Sequence, residues 1–160
     1  MWAELAEILA KLADVYQQML ALSKNKRLAL VRVQIKELET ITRQEQVLLS
    51  VVNSLEKERS IILLKIRQGL DKQYANAGLS TLIDQCHEQS KEALQASHQR
   101  LKEVIASVQV HNELNTNLTT QALSAVNYQL NVLSRSSVGP TYAEGGKELV
   151  DRKKRLDFEA

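Results

Sequence analysis

The sequence contains few residues that break helices, with one proline and five glycines among its 160 residues. Aromatic residues make up only 4% of the chain, whereas aliphatic residues supply most of its 44% hydrophobic content. Aliphatic side chains fill the narrow seams between packed helices, and the scarcity of breakers lets those helices be long. The single cysteine, Cys86, excludes an internal disulfide and suits a reducing compartment. These absences favour an all-helical protein.

The charge balance argues against a polyanion-binding protein. The 21 basic and 19 acidic side chains give a formal net charge of +2, and phosphate binding requires clustered Lys and Arg that no acid opposes. Glu4 and Glu7 interrupt the apolar N-terminus, unlike a secretory signal peptide. Residues 114–134 carry no charge but are too rich in Asn, Thr, Ser and Gln to span a membrane. We therefore predict a cytoplasmic protein that binds no nucleic acid and does not insert into a membrane.

Apolar residues recur at helical spacing along most of the chain. The pattern predicts helices over about residues 2–23, 28–73 and 89–135, with a short helix or turn-rich corner over 79–88. Ser23-Lys24-Asn25-Lys26 is polar and predicts a tight connection or a frayed point between the first two helices. Helices this long need their apolar stripes covered by other helices. The predicted fold is an elongated antiparallel helical bundle or coiled coil of three long helices plus a short connecting helix.

The last segment differs in composition from the rest. Gly139-Pro140 ends the third helical pattern, and a glycine pair and a short charged stretch follow. We predict a helical bundle domain over residues 1–138 and a flexible or weakly helical tail over 139–160.

Polar residues interrupt the apolar stripes of the two long helices. Glu45 and Arg59 lie on the stripe of the second helix, where they form ion pairs or fix the helix register. Asn112 and Asn115 interrupt the third helix and either pair across the bundle or mark where it opens to a partner helix. The charge-free residues 114–134 are either buried within this chain or form a surface that binds a partner.

The sequence offers little support for catalysis. A helical di-iron site requires Glu-x-x-His pairs, and none of His87, His98 and His111 has a glutamate three residues before it. The chain contains no Gly-x-Ser-x-Gly turn and no glycine-rich phosphate loop. Cys86 and His87 are adjacent, so on a helix they point in different directions. We predict no enzyme activity, no metal and no cofactor.

Several segments, in this order, resemble the FlgN-type flagellar type III export chaperones. The second helix contains Leu55-Glu56-Lys57-Glu58-Arg59 followed by Ile61-Ile62-Leu63-Leu64, similar to the family's Leu-Glu-x-x-Arg segment and the aliphatic residues after it. The third contains Asn112-Glu113-Leu114-Asn115-Thr116-Asn117-Leu118, similar to an Asn-x-x-Asn-x-x-Leu run. Thr141-Tyr142-Ala143-Glu144-Gly145 resembles the family's tyrosine followed closely by glycine. The resemblance covers nearly the whole chain.

The resemblance implies a chaperone for the hook–filament junction proteins FlgK and FlgL. Such a chaperone covers their C-terminal helical segments, prevents premature assembly and delivers them to the export gate. The implied gate-binding residue is Tyr142. The implied cargo-binding residues lie on the third helix: Leu118, Ala122, Ala125, Val126 and Leu133. The alternatives are a structural coiled-coil scaffold or adaptor, and either protein could form a homodimer through the same stripes.

Overall fold

The computed structural model describes residues 1–86 and 88–136, which form four α-helices and one short 3-10 turn. Helix α1 spans Trp2–Val31 and α2 spans Ile35–Gln68. The 3-10 turn Lys72–Tyr74 and the short α3, Leu79–Asp84, lead to α4, Glu88–Ser136. The described residues contain no strand. The predicted all-helical fold is confirmed.

The chain divides into two compact units, Met1–Thr119 and Thr120–Ala160. The first unit contains α1, α2, α3 and the first part of α4. The described part of the second unit is the remainder of α4. The predicted boundary at residue 138 lies outside the described residues.

Contacts between helices in the first unit define their directions. Lys26 of α1 pairs with Glu45 of α2, and Tyr16 of α1 lies near Glu56, so α2 runs antiparallel to α1. Asp14 of α1 pairs with Arg100 of α4, and further along both helices α1 also bonds to Asn112, so α4 runs parallel to α1. The three long helices therefore alternate in direction, as the antiparallel bundle prediction requires.

The core is formed by aliphatic residues at helical spacing. Leu5, Leu9 and Leu12 of α1 are fully buried, and α3 and α4 each add a fully buried leucine, Leu82 and Leu94. The same cluster contains Cys86, which lies between α3 and α4, and other residues from the four helices: Ile8, Ala13, Val15, Leu20, Val52, Leu63, Ile66, Ile83, Leu101, Val104 and Val108. The fully buried leucines thus lie at the start of α1, in α3 and at the start of α4. The burial of Cys86 in this cluster indicates a packing role.

The boundary between the first two helices differs from the prediction. Helix α1 continues through Ser23–Lys26 to Val31, and α2 begins at Ile35 rather than at about 28. The polar side chains of Ser23 and Lys26 have partners on other helices. The Ser23 hydroxyl bonds to Asn112 of α4, and the Lys26 ammonium bonds to Glu45 of α2. Local polarity here reflects long-range partners rather than a turn. The helix α2 also ends earlier than predicted, with Gly69 as its C-cap.

An arginine side chain of α2 bridges the corner that follows this helix. The Arg67 guanidinium Nη2 donates a hydrogen bond of 2.9 Å to the carbonyl oxygen of Ala77, ten residues further along the chain. Leu70, Tyr74 and Leu79 pack against the core from this corner. The segment thereby positions α3 and the start of α4.

The charged residues on the α2 stripe have different partners. The Glu45 carboxylate accepts a bond of 2.7 Å from the Lys26 ammonium, which joins α2 to α1. The Arg59 guanidinium pairs instead with Glu56 on its own helix, at 2.6 Å. Glu45 can therefore contribute to the register between helices, whereas the ion pair of Arg59 cannot.

Candidate functional site

The candidate surface lies on the second half of α4. This helix has 49 residues. Its first half contributes buried residues to the core, including Leu94, Leu101 and Val108. From Thr119 to Ser134, by contrast, every side chain is exposed. The change occurs within one uninterrupted helix.

The residues predicted to bind a partner fall largely within this exposed stretch. Leu118 is half-buried, and Ala122, Ala125, Val126 and Leu133 are exposed. At about 100° of rotation per residue, Ala122 and Leu133 point within roughly 40° of the direction of Val126. These exposed residues therefore share one face of this part of α4.

Two leucines on this face were missed by the sequence reasoning. Leu123 and Leu130 are each 59% exposed and lie about 40–60° from the direction of Val126. Their separation of seven residues is the signal that marks them as neighbours of Val126 and Leu133. We call the complete set the α4 stripe: Leu118, Ala122, Leu123, Ala125, Val126, Leu130 and Leu133.

This half of α4 has weak intrinsic support for its helical form. Asn, Thr, Ser and Val have lower helix propensity than Ala or Leu, and isolated helices owe most of their stability to packing. Hydroxyl groups at Thr116, Thr119 and Ser134 donate to carbonyl oxygens three or four residues earlier in the helix. Such bonds satisfy the hydroxyls locally and add little helix stability. A partner that covers the α4 stripe would therefore also stabilise the helix.

A buried polar cluster precedes the α4 stripe along the helix. The Asn115 side-chain Nδ2 donates to the Ser23 carbonyl oxygen at 2.8 Å and to the Ser23 Oγ at 3.1 Å. The Ser23 hydroxyl donates in turn to Asn112 Oδ1 at 2.9 Å. The sequence left two alternatives for these asparagines: pairing across the bundle, or marking where the bundle opens to a partner helix. In the structure they pair across the bundle.

A shallow polar depression borders this cluster. It is lined by Gln109, Asn112, Glu113, Thr116 and Asn117. The lining offers amide and hydroxyl groups with a single carboxylate, and the depression is open to solvent. It has neither the enclosure nor the convergent charges of a small-molecule site.

Two other candidate residues lie outside the described part of the chain. Tyr142 and the segment 141–145 are outside the described residues, as is His87. Within residues 1–86 and 88–136, no three His, Cys, Asp or Glu side chains converge to hold a metal ion. The helices of that part are also too short or too polar to cross a membrane.

A protein-family model matches most of the chain. The family model described as FlgN protein matches residues 1–149 of the 160. Comparisons with curated proteins and with solved structures gave no match. The matched range includes the whole of the first unit, the α4 stripe and the segment around Tyr142. The chain therefore belongs to the FlgN family of flagellar export chaperones, which is not a family of enzymes.

Proposed function

We propose that this chaperone binds the C-terminal helical segments of the hook-associated proteins FlgK and FlgL through the α4 stripe. It prevents their premature assembly in the cytoplasm and delivers them to the type III export gate. The observation that carries this proposal is the exposure of an apolar stripe along an uncharged helix, from Thr119 to Ser134. Soluble proteins rarely expose contiguous apolar surface without a partner for it.

The spacing of the α4 stripe fits an amphipathic helix as cargo. Leu123, Val126, Leu130 and Leu133 recur at intervals of three and four residues, the anchor pattern of helix-to-helix recognition. Ordering an unfolded cargo segment costs several kcal/mol, so the net affinity is expected to be moderate. Moderate affinity suits a chaperone that releases its cargo at the gate.

The test is a binding titration with the C-terminal segment of FlgK or FlgL. Calorimetry measures the affinity, and circular dichroism measures the helicity. Wild-type chaperone should bind the segment with a gain in helicity. Val126→Glu and Leu133→Glu should each weaken binding at least tenfold, because each introduces a charge into a contact that excludes water. Because both side chains are at least half exposed in the free chain, neither change should alter free-chain stability by more than about 0.5 kcal/mol.

Asn131→Glu is the matched control. Asn131 is exposed and lies between the two test positions in sequence but about 140° from the direction of Val126. It adds the same charge to the same turns of α4, on the opposite face. Equal loss of binding in all three variants, or no binding by the wild type, would contradict the proposal.

The role of Tyr142 needs a separate experiment. We propose that Tyr142 contacts a component of the export gate, since the resemblance of segment 141–145 assigns it that part. Tyr142→Ala should leave FlgK-segment binding unchanged and abolish binding of the cargo-loaded chaperone to the gate component. If Tyr142→Ala binds the gate component as the wild type does, the gate contact lies elsewhere.

The α4 stripe also suits a second copy of this chain, as in a structural scaffold or adaptor. If a chaperone forms a homodimer through the stripe, cargo binding should dissociate it. A scaffold should remain dimeric. Light scattering of the free and cargo-bound chain, together with the Val126→Glu variant, separates these outcomes. A cargo complex with one chaperone chain supports the chaperone role, and a stable dimer that never binds the segment supports the scaffold.

A further inference from the structure

The turn between α1 and α2 contains a backbone conformation that its sequence does not favour. The Gln34 N–H donates to the Ala29 carbonyl at 2.9 Å, and the Val33 N–H donates to the Leu30 carbonyl at 3.2 Å. These two bonds form a Schellman motif, which places its C′ residue in the left-handed region. That residue is Val33, with φ of 54°.

Valine is a poor choice for this position. Glycine, or sometimes asparagine, usually occupies the C′ site, because a Cβ atom is strained there and a β-branched side chain more so. Burial does not explain the choice, since Val33 is 73% exposed. A strained residue whose side chain faces solvent is reason to look for a contact outside the chain.

Exposed apolar side chains surround Val33 in sequence. Leu28 and Val31 lie in the last turns of α1, and Ile35 is the first residue of α2. All four side chains are more than half exposed. We call Leu28, Val31, Val33 and Ile35 the hairpin tip.

Basic residues flank the hairpin tip. Residues 15–36 contain five basic and no acidic residues. Lys26 pairs with Glu45. The other four are exposed and form no ion pair within the described residues: Lys24, Arg27, Arg32 and Lys36. The nearest acids in sequence, Glu37 and Glu39, follow on α2 and leave the segment 24–39 with five basic and two acidic side chains.

We propose that the hairpin tip docks on the surface of a membrane that contains anionic lipids. Interfacial binding combines apolar side chains that enter the head-group region with Lys and Arg that contact lipid phosphates. The tip has both, and its long basic side chains can reach past the apolar ones toward the head groups. The contact is peripheral, distinct from a helix that crosses the membrane.

A lipid surface fits these side chains better than an acidic protein does. Apolar residues on a helix-to-helix turn present no regular stripe for a partner helix and no strand edge. A protein partner would need a pocket shaped to this turn, whereas a bilayer accepts any protruding apolar group. The strained valine is also explained, because replacing it by glycine would ease the turn but remove an apolar side chain from the tip.

The test is co-sedimentation of the full chain with vesicles of phosphatidylglycerol and phosphatidylcholine in equal amounts, and with phosphatidylcholine alone. The chain should bind the mixed vesicles, bind phosphatidylcholine weakly, and be released at about 0.5 M salt, where charges are screened beyond a few Å. Val33→Gly should weaken binding about tenfold through lost apolar contact. Arg32→Ser with Lys36→Ser should weaken it about 25-fold, at about fivefold for each charge.

Val33→Gly is informative because glycine suits the observed turn, so lost binding cannot be ascribed to misfolding. The controls are Val47→Ala, at an exposed valine within α2, and Lys57→Ser with Lys102→Ser, which removes two exposed charges elsewhere. These controls should bind as the wild type does. They also separate the tip from the basic residues near the C-terminus, which every variant retains.

Three results would overturn the proposal. One is the absence of binding to the mixed vesicles, which would leave an acidic protein as the better occupant of the tip. Another is equal binding to both vesicle types, which would remove the role of the basic residues. The third is wild-type binding by Val33→Gly and by the double serine variant.

Discussion

Ser23 on α1 and Asn115 on α4 are joined by two hydrogen bonds across a buried contact, although 92 residues separate them. Ser23 is 1% exposed and Asn115 is 4% exposed. Because the Ser23 carbonyl accepts one of these bonds, the interaction depends on backbone position as well as on side chains. A shift of α4 by one turn along α1 would leave both groups buried without partners, which disfavours other registers.

Replacing Asn115 by alanine should therefore destabilise the fold. We expect Asn115→Ala to lower the free energy of unfolding by about 1–2 kcal/mol, because the Ser23 groups lose a buried donor. Urea denaturation followed by circular dichroism measures this change. Asn117→Ala is the control: Asn117 is exposed, and the substitution brings the same gain in helix propensity. Equal effects of the two substitutions would show that the buried bonds contribute nothing.

Val33→Gly should have the opposite effect on stability. Releasing a residue with a Cβ atom from the left-handed region gains about 1–2 kcal/mol, of which the greater freedom of glycine in the unfolded chain takes back about 0.5–1 kcal/mol. The expected net result is a stabilisation of roughly 0.5–1 kcal/mol in the same denaturation experiment. Val47→Gly, in the interior of α2, should instead destabilise by about 1 kcal/mol. A loss of stability in Val33→Gly would mean that the valine side chain makes contacts that outweigh the strain.

Two ion pairs between helices allow a comparison in which burial is the main difference. The Lys26–Glu45 pair, at 2.7 Å, has side chains 28% and 18% exposed, whereas the Arg100–Asp14 pair, at 2.8 Å, has side chains 55% and 60% exposed. Glu45→Gln should cost about 1 kcal/mol of unfolding free energy, and Asp14→Asn should cost less than about 0.5 kcal/mol. The difference should be measured at low salt. If Asp14→Asn cost as much as Glu45→Gln, exposure would not govern these pairs.

Stability should fall at alkaline pH in a way that depends on Tyr16. Burial raises the pKa of the Tyr16 phenol, with the nearby Glu56 carboxylate adding to the effect and Arg59 opposing it. A phenol whose pKa is raised by folding contributes stability below its unfolded pKa, and that contribution is lost as the pH rises through the folded value, above about pH 10. Tyr16→Phe should therefore lose less stability than the wild type between about pH 9 and pH 11. An identical alkaline loss in both proteins would contradict this assignment.

The sequence predicted α4 well and the α1–α2 boundary poorly, for identifiable reasons. The end of α4 is marked by Gly139 and Pro140, and apolar residues recur at helical spacing along it despite Asn112 and Asn115, so the predicted 89–135 lies within one residue of the observed bounds at each end. The turn at Arg32–Gln34 contains neither glycine nor proline. In the polar run that resembled a turn, Ser23–Lys26, the first and last residues bond to partners on α4 and α2 that a local pattern cannot reveal.

The α4 stripe was only partly predictable. Its period could be read from the sequence, and Ala122, Val126 and Leu133 were identified in this way. Leu123 and Leu130 were missed although their seven-residue spacing places them beside Val126 and Leu133. Exposure itself could not be predicted, since an apolar helical stripe has the same spacing whether the chain covers it or leaves it open.

The absence of charge from Leu114 to Ser134 has a consequence for how cargo would be released. No Asp, Glu, Lys, Arg or His side chain lies in this stretch. A change of pH or ionic strength therefore alters no charge in this stretch, and the affinity of the stretch for cargo should depend little on either. Under the proposed function, detachment must come from mechanical or competitive events, such as a rival helix that takes over the cargo, a local unwinding of α4, or traction on the cargo as it enters the export channel.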